Sequence, residues 1–421
     1  MFIPYEDIGQ FIFKYTKNEN LNKFFYEKKI SQNLDYIKKN YSVVKEKLKE
    51  KFKSKNISVI FYIYDETKWK CQALYDLLKE DNRFNVSILA TKNSVKDINN
   101  PNFQKDKELE KVFQFFEQRG MNVKMGYDTV KKEHIPIKNF NPDIIIYQHP
   151  WYVERSQGPV VASEFAITYY VPYYIPSTTS QIDYYLRFHS YVENYCVFDE
   201  LTYNEYVKKM SNKGANLIVT GQPYLDYFTK NEPVEEKQYV IYAPHWTILK
   251  KGVAYSTFEW SGKYMLEYAK QHPDSNWVFK PHPLLYKELI LSGYMKEAEV
   301  KDYYDEWATI GLKYESGDYL KLFKESKLMI TDCGSFLGEY FFTGKPLIHL
   351  ISQDAQPYNE TINNIIKYYY KAHNLTELET YMKDLISEKD MMKQERQEAI
   401  EKYTHSNASI KIKEDIISKL T

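Results

Sequence analysis

The 421-residue sequence has three cysteines, Cys71, Cys196 and Cys333, far apart and without C-x-x-C spacing, which excludes a disulfide framework and a zinc knuckle. It has no charge imbalance either. Its 57 basic and 57 acidic side chains cancel, so bulk charge offers nothing to a nucleic-acid polyanion. No apolar run approaches the roughly eighteen residues of a membrane span. The opening MFIPYEDIGQFIFKY carries acids where a secretory leader needs positive charge. Repeats and low-complexity tracts are missing too. These absences point to a protein kept in the reducing cytosol, without a nucleic-acid partner. What is abundant is Tyr, Lys, Asn and Ile; the 41 tyrosines fall in every kind of segment and read as coding bias.

A chain of this length exceeds one ordinary core and suits two domains plus extensions. Residues 1–55 read as a helical extension. Phe24, Phe25, Ile30, Leu34, Ile37, Tyr41, Val44 and Leu48 recur three or four apart, with lysines opposite. Such a helix packs on the first domain or on a second copy, and its lysines offer a weak peripheral membrane contact.

Residues 56–228 alternate strand and helix. Strands are expected at Ile57–Tyr64, Phe84–Ala90, Asn122–Met125, Asp143–Tyr147, Phe165–Tyr170, Tyr195–Phe198 and Leu217–Gly221, with helices over 66–80 and 107–119. The polar stretch 229–238, with its proline, reads as a linker. A second alternating series fills 239–400, with strands at Tyr239–Ala243, Trp277–Lys280, Leu328–Thr331 and Pro346–Leu350. A last helix within 401–421 is expected to return to the first domain. The fold class is therefore α/β, with two Rossmann-like doubly wound domains facing a central cleft. Ligands in such sheets sit beyond the carboxyl ends of the strands.

The sharpest local signal is Met329–Pro346, a buried strand, an Asp332-Cys-Gly-Ser335 turn and an immediate helix. Gly334 permits close approach of a phosphate, Ser335 caps the helix or donates its hydroxyl, and the helix start favours an anion. The plainer reading is a capped helix with Asp332 tying down the turn. Phe336 and Glu339 follow in the same helix, and Glu339 can accept from ribose hydroxyls. Trp277-Val-Phe-Lys-Pro-His-Pro283 ends a strand in a proline-clamped loop, making Lys280 a charge for a diphosphate and His282 a candidate catalytic group. Tyr242-Ala-Pro-His-Trp246 sends His245 and Trp246 toward the same side. In the first domain, Tyr147-Gln-His-Pro-Trp151 places Gln148 and His149 at a strand end, with His149 the candidate base for an acceptor hydroxyl. Arg187 and His189 are weaker acceptor-site candidates.

Taken together, YAPHW, VFKPHP, MITDCGSFLGEYFFTGKPLI and IVTGQPYLD resemble the CDP-glycerol glycerophosphotransferase family, the teichoic-acid primases, polymerases and related capsule enzymes, over roughly Asp143 to Leu350. The resemblance implies a GT-B fold, a CDP-alditol donor held by the C-terminal domain, and no cofactor or divalent metal. It also implies attack of an acceptor hydroxyl on the β-phosphorus with release of CMP. By the same resemblance His282 matches the histidine of the family's Arg/Lys-x-His-Pro loop, and Ser335 lies in a turn usually written Asp-Tyr-Ser-Ser. This chain departs in having Gly334 for one of those hydroxyls, and Gln148-His-Pro-Trp151 where the family has Trp-His-Gly-Thr-Pro. The implied acceptor is a polysaccharide or lipid-linked glycan, hence work at the inner face of the membrane, with a homo-oligomer left open. A GT-B glycosyltransferase using a nucleotide sugar is the alternative.

Overall fold

The computed structural model describes residues 19–93, 105–178, 187–229, 237–313, 319–403 and 407–421, with side chains from residue 34 onward. The side chains of Phe24, Phe25 and Ile30, and most of the 229–238 linker, lie outside that description. The chain divides into two compact units. One comprises Met1–Tyr174, Ser180–Asp226 and Ser406–Thr421; the other comprises Ile175–Thr179 and Tyr227–His405.

The first unit is built on strands β1 (Ile57–Ile63), β2 (Phe84–Ala90), β3 (Val123–Met125), β6 (Ile144–Tyr147), β7 (Ile167–Tyr170), β8 (Asn194–Val197) and β9 (Leu217–Val219). They form one sheet in the order β3-β2-β1-β6-β7-β8-β9, every neighbouring pair parallel. Burial on both faces explains why IIIY at β6 shows no polar alternation. Ile57, Val59, Phe61 and Ile63 enter one core cluster, whereas Ile60 and Tyr62 enter the cluster on the opposite face. A small antiparallel ribbon, β4 (Tyr127–Asp128) with β5 (Glu133–His134), follows β3 and has no counterpart in the periodicity.

The helix expected over 66–80 is split. Asp65 Oδ1 accepts from the N–H and hydroxyl of Thr67 at 3.0 and 2.6 Å, closing a 3-10 turn at Glu66–Lys68, and the α-helix starts afresh at Gln72–Lys79. The N-terminal extension is a helix over Glu19–Phe52 that packs on this unit. Val44 and Leu48 join the core, Tyr41 bonds Thr168 at 2.5 Å, and Lys51 reaches both Asp143 oxygens at 2.6 and 2.7 Å. The final helix, Ala408–Leu420, adds Ile412, Ile416 and Leu420 to the same core, and Asp226 caps it by accepting from the Ala408 and Ser409 amides. Among the described residues no helix is long and apolar enough to cross a membrane.

The second unit holds β10 (Tyr239–Ala243), β11 (Trp277–Phe279), β12 (Leu312–Lys313), β13 (Ser326–Thr331), β14 (Leu347–Leu350) and β15 (Tyr370–Ala372). Its order is β12-β11-β10-β13-β14-β15, again parallel throughout. That is the 3-2-1-4-5-6 winding whose order reverses between the first and fourth strands, here β10 and β13, where nucleotide ligands bind in such sheets. Phe279 stacks on Trp307 at 4.9 Å, and Gly311 lets the chain pass Trp277 so closely that a Cβ there would lie 2.2 Å from its carbonyl oxygen.

Candidate functional site

The carboxyl ends of β11, β10 and β13 lie side by side, in register through Phe279, Tyr242 and Ile330. Each releases a loop containing expected donor-site residues, so Lys280, His245 and Asp332 become neighbours although 35 to 87 positions apart in sequence. Sheet winding alone accomplishes this.

Asp332 is the organising group. It is fully buried and accepts from the backbone N–H of His245 at 2.6 Å, the N–H of Thr257 at 2.6 Å and the Thr257 hydroxyl at 2.8 Å. Burial pushes its carboxyl up to about 6, against the opposing pull of those donors. Asp332 therefore acts through the two loops it holds, not as a surface for ligand. Thr247 reinforces the second loop, its hydroxyl meeting His245 Nδ1 at 2.8 Å and accepting from the Tyr255 N–H at 3.0 Å.

His245 and His282 face each other with ring centroids 5.2 Å apart, and Trp246 lies 6.0 Å from His282. Burial lowers the His245 imidazole to about 3, so it is neutral at physiological pH and supplies hydrogen bonding, not charge. His282 is held by two hydrogen bonds: its amide donates to the Pro244 carbonyl at 3.0 Å, and its Nδ1 accepts from the Leu284 N–H at 3.1 Å. With Nδ1 an acceptor, the proton of the neutral ring sits on Nε2. Lys280, buried, extends its ammonium over the rings of Tyr319 at 5.1 Å and Phe336 at 5.5 Å. Tyr319 in turn donates to Glu339 Oε2 at 2.6 Å, and Glu339 is only 1% exposed.

The turn after β13 differs in one detail from expectation. The helix runs over Gly334–Tyr340 and its N-cap is Cys333, with no side-chain cap bond; Ser335 is already inside the helix, half-buried, its hydroxyl 3.5 Å from Cys333 Sγ. Phe336 and Leu337 return their N–H groups to the Cys333 carbonyl, which leaves the Gly334 and Ser335 amides without an intrahelical acceptor. Gly334 is enclosed: a Cβ would lie 2.8 Å from Ser177 Oγ and 2.8 Å from Tyr255 Cε2.

In the first unit, Gln148 and His149 follow β6, again beside the point where strand order reverses. Gln148 Oε1 accepts from the Lys70 N–H at 2.7 Å. His149 is fully buried, its ring 3.7 Å from Tyr64 and 5.9 Å from Tyr62, and desolvation lowers it to about 3. Neither ring nitrogen bonds another described residue. The ring is thus in the neutral form that a base needs, but Tyr64 covers it. Arg187 opens a short helix, Arg187–Tyr191, and is half-buried. His189 is corrected by the structure: it is 1% exposed and sandwiched between Tyr170 at 5.2 Å and Tyr195 at 5.0 Å, so it packs the core and offers no surface to an acceptor.

Sequence reading missed Thr247, Tyr255, Thr257, Tyr319 and Ser177. Thr247 adjoins the YAPHW segment without itself standing out, and the others reach the site from elsewhere in the chain with no local motif to mark them. Cys71, Cys196 and Cys333 are free and buried. Among the described residues no group of three or more His, Cys, Asp or Glu side chains is arranged to hold a metal ion.

Two all-parallel, doubly wound Rossmann-like sheets with an N-terminal helix define an α/β fold of the GT-B type. No known family model and no curated protein matches the sequence. Solved structures share the fold. A UDP-GlcNAc 2-epimerase from Neisseria meningitidis bound to UDP-GlcNAc is similar at 16% identity and a TM-score of 0.54, covering 86% of this chain and 100% of its own. The wall teichoic acid polymerase TagF is similar at 13% identity and a TM-score of 0.52, covering 96% of this chain and 98% of its own.

Proposed function

We infer that this chain is a transferase that moves a polyol phosphate, such as glycerol phosphate, from a CDP-activated donor to a hydroxyl of a surface glycan, releasing CMP. The observation that carries this reading is the convergence of His245, Trp246, Lys280, His282 and the Gly334–Ser335 amides at the strand ends where β10 and β13 diverge. Such a set suits a nucleoside diphosphate: a face for the base or sugar at Trp246, positive charge from Lys280, and N–H donors for phosphoryl oxygens. Glu339, anchored by Tyr319, is assigned to the ribose hydroxyls.

In this reading the diphosphate lies against the Gly334–Ser335 amides, and the Nε2–H of His282 donates to it as negative charge builds on the departing CMP. An acceptor hydroxyl gives up its proton to a base and attacks the β-phosphorus; the P–O bond to CMP breaks, and CMP carries away the electron pair. The His149 assignment rests on its neutral ring and strand-end position, and it requires Tyr64 to uncover the ring. The acceptor is a polysaccharide or lipid-linked glycan, and contact with the membrane surface through the N-terminal helix belongs to the same proposal. No cofactor is invoked.

The resemblance of VFKPHP and TDCGS to the glycerophosphotransferase motifs, and the fold shared with TagF, support this reading. A nucleotide-sugar reading is favoured by one observation, the shared fold of an epimerase whose structure holds UDP-GlcNAc. Incubation with CDP-glycerol and a hydroxyl acceptor, followed by CMP release, separates them. CMP release supports phosphotransfer; release of UDP or GDP from a nucleotide sugar, with CDP-linked donors inert, overturns it.

A further inference from the structure

Residues 175–178 lie far from the donor motifs in sequence, yet they pack among them. Asn359 fixes this segment twice: its backbone N–H donates to the Ser177 carbonyl at 3.1 Å and its side-chain amide to the Pro176 carbonyl at 2.6 Å. Thr178 bridges to Tyr358, and Ile175 packs on Gly338, where an added Cβ would lie 3.3 Å from its Cδ1. With its backbone pinned, the Ser177 side chain has little freedom. Its hydroxyl sits over Gly334, in the space that any side chain at that position would occupy.

Tyr255 also crowds Gly334, its Cε2 lying 2.8 Å from where a Cβ would sit. Its ring stacks on Tyr358 at 4.7 Å and the residue is 2% exposed; its hydroxyl lies beside that of Ser177 and meets no other described residue. A phenol buried this deeply calls for a strong acceptor. Burial keeps it protonated by raising its pKa, with the nearby Ser177 hydroxyl the opposing influence. A protonated phenol and a serine hydroxyl close together beside a glycine form a pair of O–H donors, the complement of an anionic oxygen.

We propose that Ser177 and Tyr255 form a two-hydroxyl clamp over Gly334 that donates to a phosphoryl oxygen of a nucleoside diphosphate. This rests on the donor site proposed above and adds two residues to it. The clamp recognises the phosphate, not the base, and Gly334 is the residue whose lack of a side chain makes room for the Ser177 hydroxyl and the Tyr255 ring.

The test uses the full chain and compares CDP with cytidine, or UDP with uridine where UDP binds tighter. Ser177→Ala and Tyr255→Phe should each weaken the diphosphate about tenfold or more, the worth of one hydrogen bond to a charged group, and leave the nucleoside unchanged. Gly334→Ala, whose methyl would press on the Ser177 hydroxyl and the Tyr255 ring, should weaken the diphosphate at least as much. Tyr255→Phe keeps the ring on Tyr358 and removes a hydroxyl whose one neighbour is the Ser177 hydroxyl, so its unfolding midpoint without nucleotide should stay close to that of the native chain. Equal losses for diphosphate and nucleoside, or native diphosphate affinity in the variants, overturns the clamp while leaving the donor site standing. If the native chain binds no nucleoside diphosphate, both fail.

Discussion

Asp332 holds the backbone of His245 at 2.6 Å across the junction of β10 and β13, the point where the strand order of the second sheet reverses. One buried carboxylate thereby fixes the loop that carries His245 and Trp246 and, through Thr257, the start of the helix Phe258–Gln271. Removing it should uncouple both.

Asp332→Ala leaves three buried donors unpaired and should cost about 3–5 kcal/mol of stability, read by urea unfolding. Asp332→Asn isolates the charge. The folded carboxyl titrates near 6, above its ordinary 3.8, so the native state binds the extra proton in that interval. The stability this group contributes is therefore highest below pH 4 and declines as pH rises to about 6. The native chain should lose stability across that window relative to Asp332→Asn; parallel curves would contradict the assignment.

His189 should show the opposite sign. Burial between two tyrosines lowers it to about 3 from 6.5, so the unfolded chain binds its proton first and stability falls as pH drops below 6.5. His189→Phe keeps a ring in the stack and removes the titration. Moving from pH 8 to pH 5 should cost the native chain about 2 kcal/mol more than the variant in chemical denaturation.

The strand framework was legible because burial on both faces leaves β-branched and aromatic runs at β1, β2, β6, β10 and β13 that nothing else explains. The strand-end loops with Lys280, His282 and His245 were legible for the same reason: prolines and histidines interrupt those runs. Partnerships across sequence were not. Asp332 and Thr257 are 75 residues apart, and Ser177 meets Gly334 only after the sheet is wound. His189 illustrates the reverse error, since it was read with Arg187 as an acceptor-site candidate where the sheet places a ring stack. The β15 strand Tyr370–Ala372 was hidden by its shortness and by the exposed Lys371.

Gly311→Ala should act at a distance. The added methyl would strike the Trp277 carbonyl, at the start of the strand that leads to Lys280 and His282. A loss of about 3 kcal/mol in thermal or urea unfolding is expected from overpacking, together with weaker diphosphate binding as β11 shifts.

His282→Ala should lower turnover by two orders of magnitude or more, the usual effect of removing a positioned acid or hydrogen-bond donor, with a far smaller change in diphosphate affinity. Steady-state CMP release read beside equilibrium binding checks this. Unchanged turnover removes His282 from the chemistry.

The central claim is that the strand ends at β10, β11 and β13 bind a nucleoside diphosphate. Thermal unfolding of the full chain with CDP, UDP and GDP tests it most directly, since a ligand at one hundred times its dissociation constant adds about 2.7 kcal/mol to the folded state. The account predicts a raised transition with CDP, diminished in Gly334→Ala. An unmoved transition with all three nucleotides would contradict it.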